Sequence, residues 1–304
     1  MYENILELIG KTPLVKLQKM NDFNCDIAVK LEFYNPSGSV KDRACYYMLK
    51  EAKKDGKIDD DTVIIESTSG NTGIGLAMCC AVMGLKFIAT MPESMSLERR
   101  RLIQAYGAEL VLTPKELGMQ GSVDKAVELL KEYPKSFMPS QFSNPANPLA
   151  HKETTAKEIF DDTEGKVDII VAGIGTSGTV MGLRDGFNEL KPSVKIYGIE
   201  PLDSPLLTEG QAHPHKIQGI GANFIPDLYD KTKIDGIKDI STRDAIRTAR
   251  LLAEKEGILV GFSSGAILKA ALDLAKEPEN KDKLIVAIMC DFGERYLSTE
   301  LFEI

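Results

Sequence analysis

Lys41 is the residue in this chain best placed for covalent chemistry. It lies in Asn35-Pro36-Ser37-Gly38-Ser39-Val40-Lys41-Asp42-Arg43, in the first turn of a predicted helix and behind a Pro/Gly turn. The partial positive charge of a helix N-terminus disfavours a second cation there. A neutral amine can condense with a carbonyl to form a Schiff base. A solvated lysine in a first turn costs little, so position alone does not decide between these readings. Pro36, Gly38 and Ser39 make the tightly turned approach that a backbone needs to hold a small molecule closely. Asp42 and Arg43 read as structural pairing residues.

Three loops share small residues and hydroxyls. Ser67-Thr68-Ser69-Gly70-Asn71-Thr72-Gly73 follows an apolar strand and opens an apolar helix over 74–83. Free amides at a helix start, supplemented by hydroxyls, suit a carboxylate or phosphate. Alone, this loop fits a hydroxyl-capped helix better. Gly173-Ile174-Gly175-Thr176-Ser177-Gly178-Thr179 leads into a helix near Val180 and has no lysine at the P-loop position. It matches G-x-G-x-x-G, and Glu200 ends the next strand about 20 residues on, where a dinucleotide fold keeps its ribose-binding acid. By itself it leaves three readings equally open: a phosphate cradle, a nicotinamide or flavin site, and a plain turn. Gly261-Phe262-Ser263-Ser264-Gly265-Ala266 reads as a third capped helix start, with Glu254 and Glu256 on a solvated helix face. A Schiff-base lysine beside loops suited to anions points to an aldehyde cofactor carrying a phosphate, pyridoxal phosphate.

The elements that must position these residues form an α/β pattern. Predicted strands are 63–66, 87–90, 110–112, 169–172, 196–199 and 284–288, separated by helical stretches. Residues 134–148 hold Pro134, Pro139, Pro145 and Pro148 among Asn and Ser, which punctuate rather than propagate structure, and read as a domain crossover. A second crossover is expected near Asn35-Pro36. The 304 residues can bury a large core in two lobes. With 37 basic and 45 acidic residues the net charge is −8, which argues against a general nucleic-acid binder. The longest apolar region, 74–91, is broken by Gly75, Gly84 and Lys86, so no membrane span is expected. The first residues show neither a basic start nor an apolar signal core. Cys25, Cys45, Cys79, Cys80 and Cys290 have no disulfide or metal spacing, and His213 and His215 lack a third ligand nearby. A cytoplasmic protein without a metal is expected.

The ordered set of motifs closely resembles the cysteine synthases (O-acetylserine sulfhydrylases), of the tryptophan-synthase-β type, or fold type II, of pyridoxal phosphate enzymes. The likeness runs from Ile9-Gly10-Lys11-Thr12-Pro13-Leu14-Val15 through 36–43 and 68–73 to Met95-Ser96-Leu97-Glu98-Arg99-Arg100. It continues through Gln141-Phe142-Ser143-Asn144-Pro145-Ala146-Asn147-Pro148, Ile217-Gln218-Gly219-Ile220-Gly221-Ala222 and 263–266. It ends at Gly293-Glu294-Arg295-Tyr296-Leu297-Ser298-Thr299.

The resemblance implies two open, mostly parallel sheets flanked by helices, in two lobes with the active site in the interdomain cleft. Residues 35–145 would form a smaller, substrate-gripping domain. Residues 1–34 plus 146–304 would form a larger domain that binds the cofactor's phosphate. Lys41 would hold the cofactor as an imine and carry the substrate's α-proton. Gly175, Thr176, Ser177, Gly178 and Thr179 would cradle the phosphate, Asn71 would bond the ring hydroxyl oxygen, and Ser264 would sit at the pyridine nitrogen. Thr68, Ser69, Thr72 and Gln141 would grip the amino acid's carboxylate. The implied reaction is β-replacement, giving L-cysteine and acetate from O-acetyl-L-serine and sulfide.

The alternative keeps the chemistry but starts from L-cysteine, releasing hydrogen sulfide and giving serine, lanthionine or cystathionine. A nicotinamide-dependent oxidoreductase is the reading from a different class. A homodimer is implied, and a serine acetyltransferase C-terminal tail is a possible partner. Ser177, Asn223, Phe262 and Ala156 depart from residues common in the family and read as mild substitutions.

Overall fold

Uninterrupted aliphatic runs, rather than alternating ones, set the architecture: such strands suit parallel sheets covered on both faces. The computed structural model describes residues 1–21, 23–68 and 70–303. Its strands are β1 (Leu14–Lys16), β2 (Asp26–Leu31), β3 (Val63–Ser67), β4 (Phe87–Pro92), β5 (Glu109–Thr113), β6 (Ser136–Phe137), β7 (Ile169–Gly173), β8 (Lys195–Pro201), β9 (Gly236–Ile240) and β10 (Leu284–Met289). Its helices are α1 (Lys41–Lys54), α2 (Asn71–Met83), α3 (Leu97–Ala105), α4 (Gly118–Glu132), α5 (Ala146–Ala150), α6 (Ala156–Asp162), α7 (Gly178–Leu190), α8 (Leu206–Glu209), α9 (Thr242–Glu256) and α10 (Phe262–Leu274). A π-helical turn, His151–Thr155, joins α5 to α6. The chain divides into two compact units, Met1–Ile9 with Lys41–Ala146, and Gly10–Val40 with Asn147–Ile304.

The first unit is built on a parallel sheet in the order β5-β4-β3-β6. Successive side chains of a strand point to opposite faces. Ile64 and Phe87 meet Cys45 and Leu49 of α1, Ile74 and Leu76 of α2 and Ile103 of α3 on one face. Ile65 and Ile88 meet Ala126 and Leu129 of α4 on the other. α2 is apolar all round, as a helix buried in a core must be, and stops at Gly84, whose φ of 71° few other residues accept.

The second unit carries the order β1-β2-β10-β7-β8-β9, parallel except for β1 against β2. Ile169, Val171, Ile285 and Ala287 pack against α9 and α10. Ile170, Ala172, Val286 and Ile288 pack against α6 and α7. Gly265 of α10 lies so close to the Ala245 carbonyl of α9 that a side chain there has no room. α9 is amphipathic, with Ala245, Thr248, Ala249 and Leu252 buried, and the Ser241 hydroxyl caps it through the Asp244 N–H.

All six expected strands are present, and both sheets are mostly parallel as expected. Four strands were not foreseen. β2 contains Lys30, which is wholly buried yet donates to the Thr12 carbonyl at 2.6 Å and pairs with Asp162 and Glu158 at 2.9 and 3.0 Å. The boundary between the two units, at Ala146 and Asn147, falls within the expected crossover over 134–148, and β6 lies in the same stretch, its two residues pairing with Val63 and Ile64 of β3 between two prolines. Glu256, on the partly exposed face expected for it, has a further task. Its carboxylate, half-buried, accepts the N–H groups of Gln18, Lys19 and Met20 at 2.5 to 3.0 Å, so it also holds a turn. Among the described residues no helix is long and apolar enough to cross a membrane.

Candidate active site

In the first unit, α1 begins at Lys41 itself. Its first turns cross those of α2: a side chain at Gly75 would meet Cys45 Sγ and Asp42 Oδ1, and Cys45 Sγ donates to the Thr72 carbonyl at 3.4 Å. Two helix N-termini thus converge, where free N–H groups and both dipoles favour an anion. Thr68, buried after β3, accepts the Gly73 N–H on Oγ1 at 3.1 Å and holds the loop closed. Asn71 and Thr72 open α2. The Thr72 hydroxyl donates to Gln141 Oε1 at 2.6 Å, and both side chains are buried. Ser69 lies outside the described residues.

Beneath this group sits Glu66, which the sequence reading did not single out. It is 4% exposed, and its carboxylate accepts the Ser140 N–H at 2.9 Å and the Gln141 N–H at 3.3 Å. Burial pushes its carboxyl up to about 7, against the pull of those two hydrogen bonds.

In the second unit, the loop between β7 and α7 is packed to its backbone. A side chain at Gly175 would lie 2.5 Å from the Gly219 carbonyl, and one at Gly178 would strike the Asn147 amide. Asn147 Nδ2 donates to Thr176 Oγ1 at 2.9 Å, and His151 lies 3.2 Å from Thr179 Oγ1 and 2.9 Å from Thr155 Oγ1. Asn147 and His151 are supports that sequence reasoning missed; Asn147 stood within a quoted motif, but nothing in the spacing marked His151. Ser177 is left-handed, at φ 70°, just ahead of α7. Successive amides in such a turn form an anion-binding nest. Its hydroxyl is buried without a hydrogen-bond partner. An orphaned buried donor, a nest and a helix N-terminus at one place fit a phosphate. Gly219 also packs on Ser263, which ties this loop to the start of α10, where the buried Ser264 hydroxyl accepts the Cys290 N–H at 2.8 Å.

The expected residues therefore divide between the units: Lys41, Thr68, Asn71, Thr72 and Gln141 in the first, and Gly175 to Thr179 with Ser264 in the second. Glu200 has a structural task instead of a ribose. It is 1% exposed and accepts the Leu207 N–H and the N–H and hydroxyl of Thr208 at 2.8 to 2.9 Å, holding α8. Of the departures, Phe262 packs edge-on against Tyr296 and Ala156 packs against Gly186. Asn223 takes a hydrogen bond from the Ser204 hydroxyl at 2.8 Å.

Known proteins show which family the chain belongs to. The family described as "Pyridoxal-phosphate dependent enzyme" matches residues 5–291. Cysteine synthase B of Campylobacter jejuni subsp. jejuni is 54% identical over 301 residues, 99% of each chain. The crystal structure of cysteine synthase from Entamoeba histolytica is 47% identical with a TM-score of 0.98, covering 100% of this chain and 91% of that one. A hydrogen sulfide-producing enzyme from Fusobacterium nucleatum is 48% identical with a TM-score of 0.94, covering 98% of this chain and 100% of that one.

Proposed function

Starting from the fact that this chain belongs to the pyridoxal-phosphate dependent enzymes, we propose that it is a cysteine synthase, exchanging the acetoxy group of O-acetyl-L-serine for sulfide. The observation that carries the reading is the 54% identity, over 99% of both chains, to cysteine synthase B.

When bound, pyridoxal phosphate supplies an aldehyde that condenses with amines and a ring that draws electrons from the substrate's α-carbon. The residues of this chain do the rest. Gly175 to Thr179 bind the phosphate through the nest and the start of α7. Asn71 would bond the ring hydroxyl oxygen, and Ser264 would offer its proton to the ring nitrogen. Thr68, Ser69, Thr72 and Gln141 hold the substrate's carboxylate. Because Thr72's single proton goes to Gln141, an arriving carboxylate takes N–H donors there or displaces that bond. Lys41 Nζ is the amine that would hold the aldehyde. It removes the proton from the substrate's α-carbon and later returns it, a general base acting within one site.

A homodimer working in the cytoplasm, with the tail of a serine acetyltransferase as a possible ligand of the same site, completes the proposal. Five cysteines that are all free thiols, four of them buried, support a reducing compartment. The likeness to the Fusobacterium enzyme favours a second reading in which L-cysteine enters first and hydrogen sulfide leaves.

One assay separates the two. Purified holoenzyme given O-acetyl-L-serine and sulfide is expected to form cysteine and acetate in equal amounts. Faster sulfide release from cysteine alone would replace the first reading with the second.

A further inference from the structure

We infer that Glu66 is a positioning residue for substrate binding: its carboxylate fixes the Ser140–Gln141 turn so that the Gln141 side chain stands at the start of α2. The inference rests on the reading of Thr68, Ser69, Thr72 and Gln141 as the carboxylate grip.

Glu66 is an expensive residue to keep where it is. A buried carboxylate needs a cation or a full set of donors. Among the described residues it makes no ion pair, and its partners are the two backbone N–H groups of Ser140 and Gln141. Those N–H groups converge on one carboxylate because Ser140 is left-handed, at φ 55°, a conformation unfavourable for serine. The turn is braced from its other side. Ser143 and Asn144 donate to the Ser140 carbonyl, both at 3.0 Å, and Asn144 Nδ2 donates to the Pro139 carbonyl at 2.8 Å. The product of this bracing is the Gln141 side chain, whose Oε1 meets the Thr72 hydroxyl at 2.6 Å.

Glu66 lies two residues before Thr68 on the same strand end. One short stretch of chain thus sets both sides of the grip, the loop directly and the turn through the carboxylate. An apolar residue at 66 would relieve the burial cost and leave the two N–H groups without acceptors.

The test is a double-mutant cycle in holoenzyme, using O-acetyl-L-serine and sulfide, with Glu66→Gln, Gln141→Ala and both together. Glu66→Asp, whose shorter arm cannot reach both N–H groups, takes the place of the first variant if that one does not fold. Each single variant is expected to raise KM for O-acetyl-L-serine about tenfold, with kcat within about threefold, as for lost binding that is uniform through the reaction. The double variant is expected to be no worse than Gln141→Ala alone, because Glu66 acts through Gln141. A merely structural role would not give that non-additivity. Unchanged KM in Gln141→Ala would overturn the grip reading itself. A raised KM there with an unchanged KM in the Glu66 variant, or full additivity in the double variant, would overturn the role of Glu66 alone.

Discussion

The Ser264 hydroxyl accepts the backbone N–H of Cys290 at 2.8 Å. A serine hydroxyl has one proton and two lone pairs, so this bond leaves its proton to be donated elsewhere. In the proposed site that proton would be offered to the ring nitrogen, a hydrogen bond that does not require the ring to be protonated. Ser264→Asp accepts the same N–H but presents a carboxylate, which favours a protonated ring. Cysteine formation is expected to fall at least tenfold in kcat, with a shift in the visible absorption of the bound cofactor. Ser264→Ala leaves the Cys290 N–H without its acceptor and lowers the free energy of unfolding by roughly 1–3 kcal/mol. An Asp variant with unchanged kcat and spectrum would remove Ser264 from the ring.

Ser177 combines a left-handed backbone, φ 70°, with a buried hydroxyl that has no partner. Both features cost the protein something in the absence of phosphate. Ser177→Gly relieves the backbone, a gain of up to about 1 kcal/mol after the extra chain entropy of glycine. It also removes a donor that reaches a charged group, a loss of roughly tenfold or more in cofactor affinity. The cofactor-free variant is therefore expected to unfold at higher urea than the parent, while binding pyridoxal phosphate more weakly in a fluorescence titration. Equal cofactor affinity in the two proteins would show that the hydroxyl is not a phosphate ligand.

The fold was legible where physics is local. β3, β4, β7 and β10 are aliphatic runs with few polar interruptions, because parallel strands covered on both faces need them. β2 was not, since Lys30 breaks its run, and the partners that reconcile that charge with burial, Thr12, Glu158 and Asp162, stand far from it in the sequence. β6 was hidden among prolines because its partner strand lies far upstream. The same distinction runs through the site. The glycines of the loop before α7 announce a close backbone approach, and Gly219 and Asn147 supply it. Glu66 reads as an ordinary strand end; its partners stand 74 and 75 residues further on. Thr72 and Gln141, 69 residues apart, were linked by resemblance and not by spacing.

Lys41 is placed by the packing of α1 on α2, not by a flexible loop, so its removal should be a clean loss. Lys41→Ala is expected to fold and to lower cysteine formation by roughly 10³-fold, the scale of a lost general base. Borohydride treatment of the parent holoenzyme followed by peptide mapping should find a pyridoxyl group on Lys41. A labelled peptide from any other lysine would move the proposed chemistry away from α1.

Burial of Glu66 makes both stability and substrate binding depend on pH. Glu66 titrates at about 7 in the fold, against an ordinary value of 4.5. Its raised value means that the fold favours the neutral carboxyl. The associated stability is full below about pH 4.5 and is lost as pH rises through 7, amounting to about 3 kcal/mol over that window. Nearby ionisable groups do not explain this shift. β4 and β6 carry none, Cys45, Cys79 and Cys80 are held as thiols by burial, and the charged side chains of α4 are exposed except for Lys125, which pairs with Glu128. Binding runs the other way, because the ionised carboxylate is the better acceptor for the Ser140 and Gln141 N–H groups. In the parent, KM for O-acetyl-L-serine is expected to fall as pH rises through 7, while the contribution of Glu66 to stability declines. Glu66→Gln should lack both slopes. Urea unfolding of parent and variant between pH 5 and 8 checks the first, and KM across the same range checks the second. A constant difference in unfolding free energy between the two proteins would show that Glu66 does not titrate in this window.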